Sequence, residues 1–257
     1  MEAVRVTREG PVAVLELARP DTGNALEAAL VGALATALAA LPGSGARAAV
    51  LVGAGRHFST GAHLGDLAAD APLPERLDDA RRLGALYAAL LRCPLLTVAA
   101  VRGAAYGGGL GLAAACDLVV AAPDARLQFS ELRLGFVPAL ISVFLPRRVP
   151  PARLARLFFD PAPLDGGAAR AVGLVDEVAD DALAEALARA RSIATLVSPS
   201  ALAATKRLLL AHALPDLDDR LDRAARLNAE QRDDPECRRG VAAFRANRSF
   251  PDWLERG

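Results

Sequence analysis

The chain has 257 residues and a mass of 26.7 kDa, with 53% hydrophobic and 23% charged residues, a balance that excludes a disordered chain. Thirty basic and thirty acidic side chains cancel, which argues against nucleic acid or an anionic membrane surface as a partner. A chain this long can bury roughly 70% of its unfolded surface, so a full core needs neither disulfides nor metals.

Val4 and Val6, then Val12, Val14 and Leu17, flank an Arg8-Glu9-Gly10-Pro11 turn, the pattern of a β-hairpin. Glu2, Arg5, Arg8 and Glu9 interrupt any signal-peptide apolar segment. Asn24 reads as an N-cap, with Glu27 completing a capping box; the helix runs to about Leu41 and stops at Pro42-Gly43. The apolar run 48–52 fits a strand buried on both faces. Residues 53–65 form a loop with four glycines, and 66–74 a polar, mobile stretch with two prolines. A helix from 75 to about 92 and a second buried strand, 95–101, follow. The glycine-rich turn 103–111 leads into a short helix of small residues, and a third apolar run covers 118–122. Residues 164–178 read as a short helix and a strand, and everything from Asp181 onward as helix, broken at Ser198-Pro199. Alternating strands and helices imply a layered α/β core over 1–197, with a helical region over 198–257. Leu217, Leu221 and Leu227 mark an amphipathic helix that packs either on this core or on a neighbouring subunit.

Several chemistries find no support. Cys93, Cys116 and Cys237 are widely spaced, with no CxxC, and read as reduced thiols of a cytoplasmic protein. His57, His63 and His212 have no partners at metal-ligand spacing, and no metal is expected. There is no GxSxG elbow and no phosphate loop. Gly109-Leu110-Gly111-Leu112-Ala113-Ala114 fits a GxGxxA pattern, but residues 102–106 separate it from its strand. The single lysine, Lys206, reads as compositional bias toward arginine.

Two glycine-rich loops remain. One is His57-Phe58-Ser59-Thr60-Gly61-Ala62-His63-Leu64, the other Tyr106-Gly107-Gly108-Gly109-Leu110-Gly111; each follows a buried strand. Glycine lets a substrate oxygen approach backbone N–H groups closely, and two converging N–H groups stabilise an oxyanion. Close strand–helix packing is the alternative use of the same glycines.

These two loops, with Cys116-Asp117, resemble the signature loops of the crotonase, or enoyl-CoA hydratase/isomerase, superfamily. Arg19-Pro20 with Asn24-Ala25-Leu26 resembles its N-terminal motif. Ser130-Glu131-Leu132-Arg133-Leu134-Gly135-Phe136-Val137-Pro138-Ala139 and Ala171-Val172-Gly173-Leu174-Val175-Asp176-Glu177-Val178 are similar to two later ones. The resemblance spans the chain in order. It implies an α/β spiral of ββα units with a C-terminal helical region that forms a homotrimer or homohexamer. The implied substrate is an acyl-CoA thioester, with no permanently bound cofactor. Its carbonyl would sit between the backbone N–H groups of Ala62 and Gly108, and Glu131 would be the acid–base residue. CoA would meet Ala62, His63, Leu64 and Gly65, with Arg19, Arg245 or Arg248 taking its phosphates and Phe244 its adenine. Asp66, Tyr106 and Ser142 are further candidates for the acyl pocket.

The chain departs from the pattern at three places. Gly111 stands where many hydratases of the superfamily carry a first glutamate, His63 where aspartate is usual, and Gly65 where many members carry lysine. The wording of the loops and of 130–142 resembles the 3-methylglutaconyl-CoA and isohexenylglutaconyl-CoA hydratase branch. The expectation is a hydratase of a branched or carboxylated enoyl-CoA. An enoyl-CoA isomerase with one glutamate and a non-catalytic CoA-binding homologue are the alternatives.

Overall fold

The computed structural model describes residues 2–68 and 70–254. Met1, Ala69 and residues 255–257 lie outside these, so the expected 66–74 and 198–257 segments are described only in part.

The strands and helices repeat as strand–strand–helix units. The first is β1 (Val4–Glu9), β2 (Val12–Leu17) and α1 (Ala28–Ala40). The second is β3 (Ala48–Gly53), α2 (Leu64–Ala68) and α3 (Leu73–Arg92); its second strand is reduced to a bridge at Ser59. The third is β4 (Leu96–Val101), β5 (Ala104–Tyr106) and α4 (Gly108–Ala115). The fourth is β6 (Leu118–Ala121), β7 (Arg126–Gln128) and α5 (Ala139–Ser142). Then come α6 (Pro151–Phe159), α7 (Gly166–Val172) and β8 (Glu177–Val178). The chain continues through α8 (Ala182–Leu196), α9 (Pro199–Ala213), α10 (Leu217–Gln231) and α11 (Pro235–Asn247).

The main sheet runs β1-β2-β3-β4-β6-β8 and is parallel except for the β1–β2 hairpin. β5 and β7 form a second, two-stranded parallel sheet. Alternation along each strand divides the core. Leu15, Leu51, Ala99 and Val119 join α1, α3 and α4 on one face, while Val14, Val50, Val98 and Val120 join α8 on the other. Both faces are covered, which is why the strands read as continuous apolar runs. No single described helix is long and apolar enough to cross a membrane, and α8 and α9 meet at a 109° bend beside Ser198.

Four expectations change. Asn24 does not cap a helix: α1 starts at Ala28, and the capping box does not form. Asn24 is fully buried with φ +56°, a left-handed conformation that asparagine tolerates. Its Oδ1 accepts the Arg19 N–H at 2.9 Å, and its Nδ2 donates to the Ala54 and His57 carbonyls at 2.9 Å each. It therefore ties two loops together. The stretch after residue 65 is not a plain loop, because α2 and the start of α3 reach into it; Pro74 fits the first turn of α3, where its missing N–H costs nothing. Leu217 and Leu221 are buried, with α10 packed along α3 of its own chain, but Leu227 is 47% exposed.

Lys206 is more than compositional bias. From α9 its Nζ donates to the Leu95 carbonyl at 2.6 Å and to Asp117 Oδ2 at 2.5 Å. Asp117 also accepts the Thr97 N–H and hydroxyl, so one carboxylate joins β4, the end of α4 and the helical region. Removing the cation leaves a largely buried carboxylate short of a charged partner. Lys206→Met is expected to lower unfolding stability by about 2 kcal/mol in a denaturant titration. A change below about 0.5 kcal/mol would show that the bridge is not a tie.

Candidate functional site

The two glycine loops are pressed together. Ser59 bridges Ala105, with the Ser59 N–H donating to Ala104 O at 3.1 Å and the Tyr106 N–H to Ser59 O at 3.0 Å. Gly61 has φ +84°, and a Cβ there would lie 2.6 Å from the Tyr106 carbonyl oxygen. A Cβ on Gly109 would lie 2.5 Å from the Ser59 carbonyl oxygen. Only glycine permits this approach. It brings Ala62 beside the first turn of α4. Among the described residues neither the Ala62 N–H nor the Gly108 N–H donates a hydrogen bond, and both residues line one cavity of about 960 Å³. Two free N–H groups at such a wall, one at a helix N-terminus, suit an oxygen that gains negative charge.

Glu131 opens a 3₁₀ turn, Glu131–Leu134, that follows β7 and closes at Gly135 in the left-handed conformation. The residue is 9% exposed, and its Oε2 is buried without a hydrogen-bond partner among the described residues. Burial pushes its carboxyl up to about 7, opposed only by its own backbone N–H. A Cβ on Gly107 would lie 3.0 Å from Glu131 Oε1, so the carboxyl faces the turn that carries Gly108. A titratable group with a raised pKa at a cavity wall is suited to moving protons near neutral pH.

Gly111 offers no room for a second carboxylate. A Cβ there would lie 2.5 Å from Ile141 Cγ2 and 3.0 Å from the Tyr87 hydroxyl. Tyr87 is fully buried and donates to the Gly108 carbonyl at 2.9 Å; burial, and then the charge of Glu131, holds its own proton firmly in place. Tyr87 and Ile141 thus fill the space that a longer residue at 111 needs. Among the described residues the carboxylates lining the cavity are Asp21 and Glu131.

The other expected residues divide. Leu64, Gly65, Tyr106, Phe244, Arg245 and Arg248 all line the cavity, and so does His63. Arg19, Asp66 and Ser142 do not, although Pro20 and Asp21 beside Arg19 do. His63 Nδ1 stands 3.1 Å from Asp66 Oδ1. A Cβ on Gly65 would lie 2.6 Å from the His63 ring, so a longer residue at 65 would have to displace the imidazole. Phe244 stacks near Phe250 at 4.8 Å, with Arg133 over the Phe250 ring and Arg248 near that of Phe244. The sequence reading missed Tyr87, Ile141, Asn228 and Arg232 as lining residues. Their signal is tertiary, because α3, α5 and α10 converge here from distant parts of the chain.

The raised Glu131 pKa has a measurable cost. Between about 4.5 and about 7 the folded chain holds a proton there that the unfolded chain releases, so stability falls as pH rises through that window and is level above it. The shift corresponds to about 3 kcal/mol. Glu131→Gln removes this slope: the stability of the variant relative to the parent is expected to grow from pH 5 to pH 8. An equal difference at both pH values would contradict a buried, proton-holding carboxyl.

Comparisons with known proteins place the chain in a family. The chain matches the family described as Enoyl-CoA hydratase/isomerase over residues 7–256. It is 39% identical to a Thermus thermophilus protein provisionally named an enoyl-CoA hydratase, covering 92% of this chain and 95% of that one. It is 32% identical to a cyclohexa-1,5-dienecarbonyl-CoA hydratase of Thauera aromatica, covering 98% and 96%. The crystal structure of an enoyl-CoA hydratase from Mycobacterium avium superposes with a TM-score of 0.87 at 30% identity, covering 98% of this chain and 99% of that one.

Proposed function

Because the chain belongs to the enoyl-CoA hydratase/isomerase family, we propose that it is a hydratase that adds water across the 2,3 double bond of an acyl-CoA thioester. The observation that carries the proposal is the buried Glu131 carboxyl beside the unpartnered N–H groups of Ala62 and Gly108. In this reading the thioester carbonyl accepts both N–H groups, which makes C3 electrophilic. Glu131, ionised, takes a proton from water as the water oxygen bonds to C3. The electron pair of the double bond moves onto the carbonyl oxygen, where the two N–H groups hold the enolate. The protonated Glu131 then gives its proton to C2, and the carboxylate is restored. One carboxylate serves twice, consistent with the closed space at Gly111.

Arg245 and Arg248 at the cavity, with Phe244, suit the phosphates and adenine of CoA, while His63, Leu64 and Gly65 supply neighbouring wall. The loop resemblance favours a branched or carboxylated acyl group such as 3-methylglutaconyl. The helices of the 198–257 region are proposed to hold a homotrimer or homohexamer together. In support, α9 has no buried residue and exposes Leu208 and Leu209. An enoyl-CoA isomerase is the second reading, favoured by the same single carboxylate, since one base suffices to carry a proton between two carbons.

Loss of the conjugated-enoyl absorbance, with products weighed by mass spectrometry, tests the proposal on crotonyl-CoA and 3-methylglutaconyl-CoA. Wild type is expected to add one water, and Glu131→Gln to lose at least about 10²-fold in kcat. As a base must be ionised, kcat/KM is expected to fall below about pH 7 and to level off above it. Double-bond migration without water addition would replace the hydratase with the isomerase. A fully active Glu131→Gln would remove the assigned residue.

A further inference from the structure

The cavity has a polar feature that the hydration chemistry does not use. Arg232 caps the C-terminus of α10, and Asn228 lies one turn earlier on the same helix; both line the cavity. The Arg232 side chain is only 10% exposed and Asn228 only 8%. Around them the wall is apolar: Leu67, Ala80, Leu83, Leu134 and Phe136.

The Arg232 guanidinium is under-partnered for its burial. Its Nη2 is 3.4 Å from Asn228 Oδ1 and its Nη1 is 3.7 Å from Asp79 Oδ2. Asp79 also accepts a bond from Arg82, so its charge is shared. The Arg232 Nε is buried with no hydrogen-bond partner among the described residues. The nearby Arg76 adds positive charge, while Asp66 opposes it at a distance. A cation at a helix C-terminus gains from the helix dipole, but an exposed arginine would gain that without desolvation. A buried guanidinium whose Nη groups have only long contacts calls for an acceptor, and a carboxylate meets its planar fork best.

We propose that Arg232, supported by Asn228, is a carboxylate subsite of the acyl pocket, and that the substrate is an enoyl thioester whose acyl chain carries a second, free carboxylate. This rests on the acyl-CoA reading above and narrows its substrate class. The free carboxylate gives the Arg232 Nη groups a close acceptor, where their present partners stand 3.4 Å and 3.7 Å away. A neutral chain of equal length leaves the guanidinium buried and unsatisfied, which costs affinity.

Binding and turnover separate the two claims. Calorimetry would compare glutaryl-CoA with pentanoyl-CoA, two saturated thioesters of equal carbon count that cannot be hydrated. The wild-type chain is expected to bind glutaryl-CoA at least about tenfold more tightly. Arg232→Gln is expected to erase most of that preference, Asn228→Ala to reduce it, and Arg232→Lys to retain part of it through charge without the fork. The same ratio is read in kcat/KM with glutaconyl-CoA and 2-pentenoyl-CoA. Equal wild-type affinity for the two saturated thioesters overturns the subsite without any variant having to fold. So does an unchanged preference in Arg232→Gln. If the binding preference holds and no water is added to glutaconyl-CoA, the subsite stands and the hydratase reading falls.

Discussion

Two backbone segments lie closer together here than any side chain would allow, and the site follows from that contact. Gly61 faces the Tyr106 carbonyl, and Gly109 faces the Ser59 carbonyl, each at a separation that a Cβ would violate. The contact is held from several sides. Asn24 binds the loop that leads into Ser59, the Ser59 hydroxyl returns a bond to the Asn24 carbonyl, and the Leu26 N–H binds the Gly61 carbonyl. β4 and β5 deliver the other loop, and the Gly107 N–H anchors it on β7 through the Gln128 carbonyl. With both loops fixed from behind, Ala62 and Gly108 are held at the cavity wall with their N–H groups unpartnered among the described residues. Donors fixed in this way need no reorganisation when charge develops beside them.

The second constraint is volume. Tyr87 and Ile141 occupy the region where a side chain at 111 would go, so among the described residues Asp21 and Glu131 are the carboxylates left at the cavity wall. Burial of the Glu131 carboxyl raises its pKa toward neutrality. An isolated carboxylate that must first accept and then donate a proton works best with a pKa near the working pH. Stability is spent on that arrangement, and the sheet core, covered on both faces, supplies it.

Much of the fold was legible because fully buried parallel strands leave continuous apolar runs, as at Val50 and Val98, and because Ser198-Pro199 marks a break that the helices obey. The glycine loops and Glu131 were legible as a resemblance in order along the chain. Asn24 was misread because asparagine serves equally well as an N-cap and as a left-handed loop residue, and only the carbonyls of Ala54 and His57 decide between them. Lys206, Tyr87 and Arg232 were illegible for a different reason. Each acts through a contact with a distant segment, and no local pattern records which helix will lie opposite.

The most direct test is a crystal structure with an unreactive saturated acyl-CoA bound. The account predicts the thioester oxygen about 2.7–3.1 Å from the N–H nitrogens of both Ala62 and Gly108, with the Glu131 carboxyl over the acyl C2 and C3 atoms. A thioester oxygen held by any other pair of donors, or acyl carbons out of reach of Glu131, would contradict it.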